Sequence, residues 1–136
     1  MNYKKLSWSA IALIIVVFIS NFLIHQVWLK STYMETPNLW RTMDEMQNFM
    51  SFMMAGQTIF GIVMMIIFAH GYKGTGVGEG IRFGLIFGAL TMANEFIMYA
   101  VAPYPSKLMW SWVAAGFAQA IACGVIASMI YKPRTA

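Results

Sequence analysis

The sequence predicts an all-α membrane protein, an antiparallel bundle of four transmembrane helices. Composition is the first reason: 60% of the 136 residues are apolar, only 10% are charged, and the mean hydropathy is +0.64. Soluble domains are about 45–50% apolar and about 25% charged. A chain this short buries too little of its surface to hide the excess in a water-soluble core. The second reason is segmentation. The apolar residues fall into four runs of about 20 residues or more, the length a helix needs to cross the hydrocarbon layer. The third is the shortness of the links, which leave no room for a soluble domain and set neighbouring helices antiparallel. A soluble enzyme, a disulfide scaffold and a disordered tail are excluded on these grounds, and the lone Cys123 reads as a small buried hydrophobe.

The first run spans residues 8–29 behind Lys4 and Lys5. It mimics a secretory leader, but its length and the poor cleavage site around Ser20-Asn21-Phe22 make it a retained span. The second run covers 46–69. Thr42-Met43-Asp44-Glu45 just ahead of it reads as a capping box, so its helix is expected to begin near Met43. The third and fourth runs, 80–102 and 108–131, are joined by a tight Pro103-Tyr104-Pro105 hairpin. Trp40, Trp110, Trp112, Tyr104 and Tyr131 fall near span ends and read as interfacial anchors.

Basic residues set the orientation. Lys4, Lys5, Lys73, Arg82, Lys132 and Arg134 flank one side, against Lys30, Arg41 and Lys107 on the other. The excess places both termini in the cytoplasm. The net charge of +4 therefore points to lipid headgroups, and no nucleic-acid partner is expected.

Small residues predict how the helices pack. Gly76, Gly80, Gly84 and Gly88 recur every fourth position in and before the third span, and Gly116, Ala120, Gly124 and Ser128 do so in the fourth. Such stripes let backbones approach closely, within one chain or between two copies; the hairpin favours the first. The segment Gly74-Thr75-Gly76-Val77-Gly78-Glu79-Gly80 has neither the spacing nor the ending of a phosphate loop and reads as a turn, with Glu79 and Arg82 placed to pair.

Polar side chains at membrane depth are functional candidates by default. Glu95 stands foremost, about 10 Å below the outer end of its span at the helical rise. Asn21, His25, Gln57 and Asn94 fall in the same outer layer, and a His25–Glu95 contact is geometrically open. Two readings compete: a network of interhelical hydrogen bonds, or a site that binds a cation or relays protons. Thirteen methionines sharpen the second. Met43, Met46, Met50, Met53 and Met54 follow helical spacing near His25, and soft thioethers suit Cu(I). The same stripe is equally what adaptable packing would use. His25 and His70 stand at opposite ends of their spans, so one chain cannot clamp a haem between them. No cofactor is required by the sequence, and no nucleophile–base–orienter set is visible.

His25, Leu39-Trp40-Arg41, Gly78-Glu79-Gly80-Ile81-Arg82-Phe83-Gly84, Pro103-Tyr104-Pro105 and Ile130-Tyr131-Lys132-Pro133 together resemble a group of small bacterial four-helix membrane proteins of unassigned function. The likeness covers most of the chain. It implies a bacterial inner membrane and carries over no active site. The expected role is that of a small accessory or structural protein without its own catalysis, as a homo-oligomer or in a larger membrane complex. The alternative is a binding or transport protein for a cation, copper included, and a membrane enzyme ranks third.

Overall fold

The computed structural model describes residues 2–133; Arg134, one of the basic residues used for orientation, lies outside them. The described residues form helices joined by short turns, with no strand. Helix α1, Tyr3–Phe22, opens on Asn2, whose side chain accepts from the Lys5 backbone N–H at 3.2 Å. It continues into a π-helical segment, Leu23–Trp28, and ends there. Two short pieces follow, α2 (Lys30–Met34) and a 3-10 turn at Pro37–Leu39. Next come α3 (Met43–Asn48), α4 (Met50–Gly71), α5 (Val77–Val101) and α6 (Ser106–Ile130). Four stretches, Tyr3–Trp28, Met50–Gly71, Val77–Val101 and Ser106–Ile130, are long and apolar enough to cross a membrane. They match the four expected runs to within a few residues at most ends.

The Thr42 capping box is present, with the Glu45 backbone N–H donating to the Thr42 hydroxyl and the Glu45 carboxylate accepting from the Thr42 N–H. It opens α3, however, and not a continuous second helix: at Phe49 the backbone leaves helical geometry (φ −108°, ψ 6°) before α4 begins. Hydrogen bonds from the Thr42 backbone and hydroxyl, with Arg41 adding a smaller effect, hold the Glu45 carboxyl below the usual glutamate range. A lowered folded-state value means the contribution of the box is complete above the ordinary glutamate range and is lost as pH falls from there through the lowered value. Amide exchange of residues 43–48 is therefore expected to quicken on acidification through that window. In Glu45→Gln it should change far less with pH, and equal pH dependence in both proteins would refute the assignment.

Helices α5 and α6 form the closest pair and run in opposite directions. Gly80 meets Gly124, Gly84 meets Ala120 and Ile121, and Gly88 lies on the Phe117 ring. An added Cβ at Gly84 would stand 2.5 Å from the Ile121 Cα, and at Gly80 or Gly124 it would run into the opposing backbone carbonyl. Gly76 is not part of this contact. It sits ahead of α5 at φ +95°, with nothing near its Cβ direction, and with Gly74 (φ +87°) it turns the chain. The Glu79 carboxylate holds that turn, accepting from the Lys73 N–H at 2.7 Å and from the Thr75 N–H and hydroxyl. Its hydrogen bonds thus go to the loop and not to Arg82.

Helix α1 packs against both α4 and α6, with Gly61 admitting Ile14 at the first contact. Between α4 and α5 the backbones stay apart and phenylalanines bridge the gap: Phe60 meets Phe87 edge-to-face at 5.4 Å, and Phe68 meets Phe83 at 5.1 Å. Leu13, Val17, Met64, Phe68, Cys123 and Tyr131 belong to a solid core in the half of the molecule holding the α4–α5 turn. Tyr72 closes that end by donating to the Ser128 carbonyl at 3.1 Å. The opposite half holds a smaller buried cluster, Leu29, Tyr104, Leu108 and Met109, beside a hollow.

Candidate ligand cavity

The hollow is a cavity of about 630 Å³. Helix α1 contributes Asn21 and its π-helical continuation contributes Ile24 and His25. From α5 come Thr91, Glu95 and Met98, and from α6 come Trp112, Ala115, Gly116 and Gln119. The α5 and α6 sets follow three- and four-residue spacing, so one face of each of these helices looks inward. Ala115 leaves room on this wall, while Gly116 lets Thr91 of α5 come close, its Oγ1 3.1 Å from where a Cβ would stand. Leu39 and Trp40 from the α2–α3 connection, with Pro103 and Tyr104 from the α5–α6 loop, close the end.

Aromatic contact builds that closure. Trp40 and Trp112 pack edge-to-face at 6.0 Å, and Tyr104 meets Trp112 at 4.9 Å. Of the five aromatic residues expected as interfacial anchors, these three turn inward, and Tyr131 is also buried, beside Tyr72. Only Trp110 presents a mostly exposed ring.

A hydrogen-bonded chain ties the closure to α1. The Trp112 indole N–H donates to the Tyr33 hydroxyl at 2.8 Å, and the same hydroxyl lies 2.5 Å from His25 Nδ1. An indole N–H can only donate, so the Tyr33 oxygen accepts there and its hydrogen is left for Nδ1. This assignment, inferred from the network, puts the His25 ring hydrogen on Nε2. The π-helical turn positions His25, and the Leu29 N–H bonds the Ile24 carbonyl five residues back at 2.8 Å. Widened turns of this kind often occur at functional sites. Burial raises the Tyr33 phenol above the usual tyrosine range; the Trp112 N–H opposes this and the Glu95 charge adds to it.

No family model, curated protein or solved structure matches the chain.

Of the five polar residues expected in one layer, three share the cavity and two lie apart from it. Asn21, His25 and Glu95 share the cavity, but Glu95 is not hydrogen-bonded to His25, whose partner is Tyr33. Asn94 lies on the exposed side of α5, lining a second cavity of about 430 Å³ with Glu95, Phe60, Phe87, Leu90 and Thr91. Gln57, on α4, lines neither, and its buried Oε1 has no partner among the described residues. Asn21 instead pairs with Gln119, whose amide donates to Ser20 Oγ at 2.6 Å and to Asn21 Oδ1 at 3.1 Å. Gln119 and Ser20 fall outside the set expected from the sequence. The signal for Gln119 was available, as an amide in the middle of an apolar run.

Met46 lies on α3, and Met50, Met53 and Met54 on the first turns of α4. The last three are more than 40% exposed, and none of the four lines the cavity with His25. Among the described residues no three His, Cys, Asp or Glu side chains come together as a metal cluster. His70 is exposed at the end of α4, its Nδ1 2.8 Å from the Ile66 carbonyl.

Proposed function

We propose that the chain is a four-span membrane protein, an antiparallel bundle that binds a small molecule in the cavity between α1, α5 and α6. The carrying observation is the cavity itself: about 630 Å³ with a mostly apolar wall and a few convergent polar groups, Asn21, His25, Glu95 and Gln119. Small-molecule sites are of this kind, about 300–1,000 Å³ with a small number of placed polar side chains. The membrane setting is supported by the outward faces of the long helices. Ile11, Ile15, Ile19 and Phe22 project from α1 about half exposed or more, an apolar surface suited to lipid. Basic residues favour both termini in the cytoplasm, and the sequence resemblance favours a bacterial inner membrane. On this reading the cavity opens toward the outer half of the bilayer. Binding, as the task of a small accessory or carrier protein, accounts for the hollow half better than a purely structural role, which would gain from filling it.

The test is native mass spectrometry of the protein released from its own membranes. Wild type is expected to carry a small-molecule adduct. Ala115→Phe, which fills the cavity from a position only 7% exposed, is expected to lose it while retaining its helical spectrum. The same occupancy in both proteins would refute the reading.

A further inference from the structure

The cavity combines one carboxylate, Glu95, with a wall of aromatic rings, and its one imidazole, His25, is held by Tyr33. Glu95 lines it together with Trp40, Tyr104 and Trp112, and neither Lys nor Arg is among its lining residues. The rings contact one another at 4.9 to 6.0 Å, so they form a continuous surface and not scattered neighbours. The Glu95 charge reaches this surface: it adds to the effect of burial in raising the phenols of both Tyr33 and Tyr104. Such a site offers a cation one acidic partner, with neither Lys nor Arg beside it to compete. It gives an organic cation a countercharge and ring faces, whose quadrupoles attract quaternary ammonium groups. A compact metal ion would find only Glu95 and His25 there, and among the described residues no three His, Cys, Asp or Glu side chains cluster.

The second cavity adds a route. Phe60, Thr91 and Glu95 line both spaces, so the two adjoin at the Glu95 wall. The second lies at the α4–α5 seam, where the backbones are apart and Leu90 is 65% exposed. Its position opens Glu95 to the side of the bundle, the side that faces acyl chains if the helices span a bilayer.

Building on the small-molecule reading above, we propose that the ligand is a lipophilic organic cation, held between Glu95 and the Trp40–Trp112–Tyr104 rings and admitted from the lipid between α4 and α5. The probes are benzyltrimethylammonium and its uncharged carbon isostere neopentylbenzene. Each is titrated into the full chain in lipid nanodiscs, with empty nanodiscs subtracted. Wild type is expected to bind the cation at least about tenfold more tightly than the isostere. Glu95→Gln keeps the shape and should lose about tenfold in cation affinity while leaving the isostere unaffected. Trp112→Leu, which keeps the carboxylate but removes a ring, should weaken the cation in the same sense and serves if Glu95→Gln does not fold. Equal affinity for the two probes, cation binding indifferent to both substitutions, or no cation binding to wild type would each overturn the proposal. If the adduct is still lost in Ala115→Phe, such a result refutes the cation class alone. If the adduct also persists there, the cavity reading falls with it.

Discussion

Gly124→Ala is expected to destabilise the protein by about 1–3 kcal/mol, the range for forcing a methyl group into a closely packed interface. The added Cβ would run into the Gly80 carbonyl, and the Gly84 backbone nitrogen lies only 3.3 Å away. Backbone cannot rotate aside as a flexible side chain can, so the cost must be met by separating α5 from α6. The contact is mutual: a Cβ at Gly80 would meet the Gly124 carbonyl and the Ser128 hydroxyl. Gly80→Ala should therefore fall in the same range. The controls are Gly56→Ala and Gly78→Ala, where nothing lies within 4 Å of the new atom. At such open helical positions Ala is favoured over Gly by up to about 1 kcal/mol, so both controls are expected to be as stable as wild type or more so. Unfolding by denaturing detergent, followed by circular dichroism, separates the two classes. If Gly124→Ala is as stable as Gly56→Ala, the close approach of α5 and α6 is refuted.

The second large effect is expected at Tyr33. Its hydroxyl receives the Trp112 N–H and meets His25 Nδ1, so Tyr33→Phe leaves two half-buried polar groups without their partner at one stroke. Each group left unsatisfied costs about 1–3 kcal/mol, and incomplete burial puts both near the lower end, about 2–3 kcal/mol together. A double-mutant cycle with Trp112→Phe isolates the indole bond, for which a coupling of about 1 kcal/mol is expected of an ordinary hydrogen bond. Strictly additive effects would mean that the Tyr33 hydroxyl does not join the connection to α6. The cavity reading adds a separate readout: Tyr33→Phe loosens the aromatic closure, so ligand dissociation should quicken even where the helices remain assembled.

The long helices were legible because lipid-length apolar runs leave few alternatives, and the Gly80–Gly84–Gly88 face was legible because four-residue spacing keeps to one side of a helix. The cavity was legible only in part. Depth along a helix follows from residue count, so Asn21, His25 and Glu95 could be placed near one another. Depth does not give rotation, and rotation sends Asn94 to the outside while Glu95 turns inward. Nor could counting along ideal α-helices foresee the π-helical turn at Leu23–Trp28 or the break at Phe49, since neither contains a glycine or proline to mark it. The aromatic closure was hidden for a different reason. Trp40, Tyr104 and Trp112 lie at span ends, where a ring anchored at the interface and a ring folded over the bundle look the same in sequence.

The glycine contact between α5 and α6 also has a mechanical consequence. Glycine and alanine have no rotamers to lose, so this seam forms without the side-chain entropy cost that ordering Met, Gln or Glu entails. Backbone lies against backbone there, leaving no soft layer to shear, and the two helices move as one stiff body. The looser joint is elsewhere, where phenylalanine tips span the α4–α5 gap. Any widening of the hollow half therefore falls to that seam, with α4 moving against a fixed α5–α6 frame.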